Sequence, residues 1–171
     1  MDKIIFKPKF SLWGWLLPLC FIGFLIFLIW VNYPQLFINP SLMIKHGLFV
    51  VPFILLFIFE IVILFTMQYE LRPDALYLRG GPFVYKIPYS DIKQISKTDL
   101  IFHPIACNRW PGYAFGNCYY ADAHEVTMCA TRMCKGIILI QTIKRLYGIS
   151  PQNEDLFITE LKKRIEDATN D

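Results

Sequence analysis

Charge is the scarce ingredient of this chain. Charged residues make up 18% of its 171 residues, against about 25% in ordinary soluble domains. The deficit lies in the first 67 residues, where the charges are Asp2, Lys3, Lys7, Lys9, Lys45 and Glu60. Residues 12–31 carry none, and residues 47–67 carry Glu60 alone. An excess of one sign is also missing. Beyond residue 67 there are 13 Lys/Arg against 12 Asp/Glu, so that part is nearly neutral. Such a balance argues against a general nucleic-acid binder, which would show a broad basic stripe. It also argues against strong attraction of the whole domain to anionic lipid, which takes clusters of Lys and Arg.

Signatures of catalysis are absent too. There is no Walker loop, dinucleotide fingerprint or zinc-protease motif. His103 and His124 lie in no nucleophile-elbow or triad setting and read as loop histidines. Four cysteines, Cys107, Cys118, Cys129 and Cys134, fall in the second half with 10, 10 and 4 residues between them. That spacing is a weak zinc signal. They read as small buried apolar side chains, reduced if the domain is cytosolic. No catalytic residue, cofactor or metal ligand is expected. Cys20 is expected to face lipid or a helix seam.

What the chain does have is two long apolar runs. Residues 47–67 include 16 Leu, Ile, Val or Phe out of 21. A helix of that length covers about 30 Å, the thickness of a bilayer's hydrocarbon core. Those 16 side chains supply at most about −5 to −10 kcal/mol of insertion energy, against about +3 for a central Glu60, so the run spans even with Glu60 unpaired. Residues 12–31 form the other span. The run is longer than a signal peptide's apolar core, and no small-residue cleavage site follows it. Trp13, Trp15 and Trp30 near its ends suit the interfacial aromatic belt.

The expected organisation is a short basic N-terminus (1–11), a first transmembrane helix (12–31), a connector (32–46), a second helix (47–67) and a soluble domain (68–171). Lys3, Lys7 and Lys9 on one flank and Arg72, Arg79 and Lys86 on the other outweigh the one Lys and one His of the connector. The positive-inside rule therefore predicts cytoplasmic N- and C-termini and an external connector, in a multi-pass protein of the cell's inner membrane. Glu60 is then an intramembrane ionisable group. Its functional reading is a proton or ligand site. Its structural reading is a neutral Glu holding the hairpin together, with Trp13, Trp15 or Cys20 at similar depth.

After residue 67 the pattern alternates. Strands are predicted near residues 69–71, 75–78, 83–87, 92–96, 113–120, 125–131, 136–142 and 146–149, separated by Pro73-Asp74, Gly80-Gly81-Pro82 and other short turns. Residues 136–142 are nearly all apolar at their centre and belong in the middle of a sheet, covered on both faces. A helix follows, with Ser150 as cap, Pro151 in its first turn, and Phe157, Leu161 and Ile165 on one face.

These details converge. The run Tyr69-Glu-Leu-Arg-Pro-Asp-Ala-Leu-Tyr-Leu-Arg-Gly-Gly81 and the segment Lys86-Ile-Pro-Tyr-Ser-Asp-Ile-Lys-Gln-Ile95 resemble the opening of the bacterial pleckstrin-homology-like (PH) domains. So do Arg109-Trp-Pro-Gly-Tyr-Ala-Phe-Gly116 and the Tyr147-Gly-Ile-Ser-Pro151 entry into the helix. The likeness covers about residues 68–166. It implies an α+β membrane protein: a two-helix transmembrane hairpin, then a PH-like barrel or sandwich of about seven antiparallel strands with a C-terminal capping helix. It implies a scaffold for lipids, peptides or proteins, and fold alone does not choose among them. The expected partners are the bilayer and a protein or lipid-headgroup ligand, not nucleic acid. The candidate ligand surface is the set of basic residues on turns: Arg109, Arg132, Lys135, Lys144 and Arg145. The competing class is a component of an enzyme or transport system that uses Glu60 or the Cys/His set.

Overall fold

The structure is a computed structural model, which describes residues 2–38, 40–104 and 108–170. A strand, β1 (Ile4–Phe6), precedes a long helix, α1 (Leu12–Ile38), and a second one, α2 (Pro40–Thr66). Eight strands and a bridging 3-10 turn make up most of the rest: β2 (Gln68–Leu71), β3 (Ala75–Gly80), β4 (Phe83–Pro88), the turn Tyr89–Asp91, β5 (Ile92–Thr98), β6 (Asn108–Trp110), β7 (Tyr113–Tyr120), β8 (His124–Ala130) and β9 (Ile137–Thr142). The chain closes with β10 (Leu146–Ile149) and a third helix, α3 (Glu154–Asn170).

The helices form a hairpin long and apolar enough to cross a membrane, over Leu12–Pro34 and Ser41–Thr66. Phe21 and Phe57 stack across it with ring centroids 5.1 Å apart. Most of its apolar surface is uncovered. Residues 32–46, expected as a connector, are largely helical instead. The Asn32 amide donates to the Leu28 carbonyl at 2.7 Å, holding the helix past the expected stop. Pro40 opens α2, where a missing N–H costs nothing.

Two sheets make the domain. One is β1-β2-β3-β4, the other β5-β9-β10-β8-β7-β6. The expectation of about seven antiparallel strands is corrected twice. There are ten strands among the described residues, and β10 runs parallel to β8. β10 folds back from β9 into the slot between β9 and β8, so it meets one neighbour antiparallel and the other parallel. One of the additional strands is β1. Its three residues were expected to be tail, but Ile4, Ile5 and Phe6 pair antiparallel with Leu71, Glu70 and Tyr69. Phe6 is buried and meets Phe157 edge-on at 5.2 Å.

The main core lies between the sheets. Tyr69, Leu76, Leu78 and Ile87 face Phe115, Ile138, Ile140 and Ile149, and Phe157 and Leu161 of α3 close one side. A second cluster covers the outer face of the larger sheet, with Leu100, Val126, Met128, Ile137 and Leu139. Thus β9 is buried on both faces, as its composition requires. The α3 stripe also forms as expected, but the helix starts at Glu154, not at Pro151. Ser150 does not cap it; its hydroxyl accepts from the Thr131 N–H at 2.8 Å, and Pro151 pairs with Pro8 in an isolated bridge. Asn153 supplies the first carbonyl, to Phe157 N–H.

Candidate functional site

The helix hairpin is built into the domain rather than appended to it. Ile63, Leu64 and Met67 belong to the main core, and Met67 alone separates α2 from β2. Burying three such side chains is worth roughly 1.5–3 kcal/mol each. Two turns clamp this junction. Gly81, at φ +58°, lies against Ile63 and donates its N–H to Thr66 Oγ1 at 2.7 Å. Gly112, at φ +88°, sits at the start of α1, where an added Cβ would lie 2.2 Å from Ser11 Oγ and 2.3 Å from Gly14 N. Only glycine fits both the backbone angle and the space.

Glu60 lies on the same junction. Its side chain is buried at 3% exposure, and its Oε1 accepts from Asn108 Nδ2 of β6 at 2.5 Å. Trp13, Trp15 and Cys20, the partners expected from the first helix, do not hold it. Trp15 packs edge-on against Phe65, and Trp13 and Cys20 are exposed. The domain climbs along α2 and reaches Glu60 first. Beside it, burial and then the nearness of Glu60 push the Tyr113 hydroxyl well above its ordinary pKa. Tyr113 Oη and Glu60 Oε2 nevertheless make no well-formed hydrogen bond. The Tyr113 ring stacks on Trp110 at 4.3 Å, across the turn that Gly112 supports.

The five turn cations do not converge. Arg132 and Lys135 sit between β8 and β9, beside Ser11 and Gly112, at the end of the barrel nearest the helices. Lys144 and Arg145 sit between β9 and β10 beside His124, at the far end. The length of β8, seven residues, separates them by about 20 Å. Lys135, Lys144 and Arg145 are exposed. Arg132 is spoken for: its guanidinium meets Glu154 at 3.2 Å and the Gly136 carbonyl at 3.0 Å. Arg109 is structural as well. It lies over the rings of Phe102 and Tyr120 and donates to the carbonyls of Tyr119 and His103.

The cysteines behave as packing residues. Cys118 and Cys129 are buried, Cys134 is half-buried and Cys20 is exposed on α1. Burial pushes the Cys129 thiol far up, out of the reactive range. Cys107 lies outside the described residues. Among the described residues no three His, Cys, Asp or Glu side chains come together as a metal site. His124 opens β8, directly after the β7–β8 turn, at φ +55°.

Two features had no motif to announce them. One is Glu70, whose side chain is completely covered by Lys3 at 3.1 Å, Arg72 at 2.6 Å and Arg79 at 3.3 Å. Burial pushes its carboxyl up, but Arg72 and Lys3 outweigh that and leave it below the usual carboxylate range. This ion cluster ties β1 to β2 and β3. Its one local signal in the sequence is Arg72, two residues after Glu70 in an alternating run; Lys3, just before β1, and Arg79 of β3 come from elsewhere in the chain. The other is a groove of about 410 Å³ where α1 and α2 enter the domain, lined by Lys7, Lys9, Phe10, Trp15, Phe65 and Gln152 among others.

A family model described as bacterial PH domain matches residues 67–165, more than half of the chain. The comparisons with curated proteins and with solved structures return no match.

Proposed function

Because the chain belongs to the bacterial PH domain family, we propose that it is a non-catalytic integral membrane protein that displays a PH-like binding or scaffold domain at the inner face of the membrane. The observation that carries this reading is the junction. Helix α2 passes into β2 through one residue, and the strand before α1 pairs with that same β2. Two spanning helices therefore return both chain ends to one side and hold the barrel in a fixed pose against the bilayer. Exposed Phe, Leu and Ile along the hairpin, such as Phe65 at 79% and Leu48 at 78%, need lipid or a partner to cover them. The positive flanks assign the domain to the cytoplasmic side. In that pose Lys144, Arg145 and His124 point away from the membrane and are the surface open to a protein ligand, while Lys135 lies near the lipid. Holding the surface there raises its effective concentration for other membrane-bound partners.

The test is carbonate extraction of membranes, followed by crosslinking and mass spectrometry of the full chain and of a truncation ending at residue 67. Retention in the pellet, with loss of specific partners on truncation, supports the proposal. Release by carbonate overturns the spanning hairpin, and an unchanged partner list moves the binding role to the helices. The competing reading, a proton-coupled component using Glu60, predicts complete loss of the cell phenotype in Glu60→Gln. The contact of Glu60 with Asn108 of the domain supports a structural role instead.

A further inference from the structure

We propose that the groove where α1 and α2 enter the domain binds the phosphodiester headgroup of an anionic phospholipid. The inference rests on the membrane-spanning reading above and adds a ligand and a site to it. Its floor is apolar: Trp15 in the first turns of α1 and Phe65 in the last turn of α2, with Leu64 beneath. That floor continues into the uncovered surface of the hairpin, so an acyl chain lying on the helices leads straight into it. Its rim is polar and cationic, with Lys7, Lys9, Ser11 and Gln152. Among the described residues no carboxylate lines it.

Lys7 and Lys9 differ from the six ion-paired cations of the domain. Lys3, Arg72 and Arg79 are taken by Glu70, Lys86 by Asp74, and Lys97 and Arg132 by Glu154. Lys7 and Lys9 make no salt bridge among the described residues, although Lys9 lies within electrostatic reach of Glu154, and their backbone is fixed. Lys9 N–H donates to the Ser150 carbonyl at 2.8 Å, and the Lys7 carbonyl accepts from Gln152 N–H at 2.9 Å. Two lysines on a fixed backbone, beside an aromatic floor and at the proposed depth of the bilayer interface, match a phosphodiester with its acyl chains attached. Without an acid in the lining, nothing receives the choline or ethanolamine cation of a zwitterionic lipid. The apolar floor selects a lipid over a soluble phosphate.

The test is native mass spectrometry of the full chain in a neutral detergent, titrated with phosphatidylglycerol or with phosphatidylcholine of the same acyl chains. The expected result is preferential retention of one phosphatidylglycerol. It weakens by about 10- to 30-fold in Lys7→Gln/Lys9→Gln, with the weak phosphatidylcholine binding unchanged. Lys162→Gln/Lys163→Gln, on the exposed side of α3, keeps the wild-type preference, and Lys7→Arg/Lys9→Arg retains it, which separates charge loss from misfolding. Equal retention of the two lipids overturns the proposal. So does an unchanged preference in Lys7→Gln/Lys9→Gln, or displacement of the lipid by an equal concentration of inorganic phosphate. Release of the protein by carbonate refutes the spanning reading alone. Firm membrane retention without lipid preference refutes this site alone.

Discussion

Asn108 of β6 donates its side-chain N–H to the carboxyl of Glu60, 48 residues earlier in the chain and near the end of α2. The acidic side chain of an otherwise apolar helix is thereby claimed by the domain. Removing the donor leaves a buried acceptor unpaired, at a cost of about 1–3 kcal/mol. Asn108→Ala is expected to lower the thermal midpoint in detergent, and Glu60→Ala to do likewise. The double variant should lose less than the sum, because the two side chains share one interaction. Strict additivity in the cycle would show that the pair is not coupled.

Gly14 and Gly112 give a sharper test of the clamp. A Cβ on Gly14 would lie 2.4 Å from the Gly112 carbonyl oxygen, whereas one on Gly23 of the same helix meets nothing within 4 Å. Gly14→Ala is expected to cost about 1–3 kcal/mol, or roughly 3–10 °C in Tm. Gly23→Ala should leave Tm unchanged or slightly raised. Thermal unfolding of both variants, with limited proteolysis at the β6–β7 turn, decides it.

Glu70 sets an acid limit. Its carboxyl titrates below the ordinary range when folded, burial being outweighed by Arg72 and Lys3. A depressed folded pKa contributes stability that is fully present above the unfolded value and is lost as pH falls through the folded one. Unfolding measured from pH 7 downward should show this loss in the wild type below the usual carboxylate range. In Glu70→Gln the chain should be less stable at neutral pH and its pH dependence flatter. The Lys3 contact makes the pairing of β1 the first part to loosen in acid, readable as hydrogen exchange at Ile4 and Phe6.

Topology has a direct readout. In a background with Cys20, Cys107 and Cys134 replaced by serine, Lys45→Cys at the hairpin tip should react with a membrane-impermeant thiol reagent in intact cells. Lys163→Cys on the exposed side of α3 should react only after permeabilisation. The reverse pattern would place the barrel outside.

Much of this fold was legible in the sequence. The strand over residues 113–120, the strand over 146–149 and the both-faces burial of β9 follow from alternation and apolar content, and the structure has them there. The stripe of Phe157, Leu161 and Ile165 was equally plain. The N-terminal strand was not, because three residues are too few to show a period and its partner lies beyond two long helices. The site was less legible. Arg132 and Lys135 follow β8, and Lys144 and Arg145 follow β9. Successive turns of an up-and-down chain fall at opposite ends, so these two pairs could never share a surface. Residue type found the cations; only strand direction tells which of them are neighbours. The partner of Glu60 left no trace in local pattern, since it depends on how high the domain rises along a helix.

Met67, locked in the core between α2 and β2, leaves no swivel there. If the helix pair spans a bilayer, as proposed, a tilt imposed by a thicker or thinner one swings the whole barrel like a lever. With the far turns about 20 Å from the fulcrum along β8, a lean of roughly 10° carries Lys144 and Arg145 about 3–4 Å sideways.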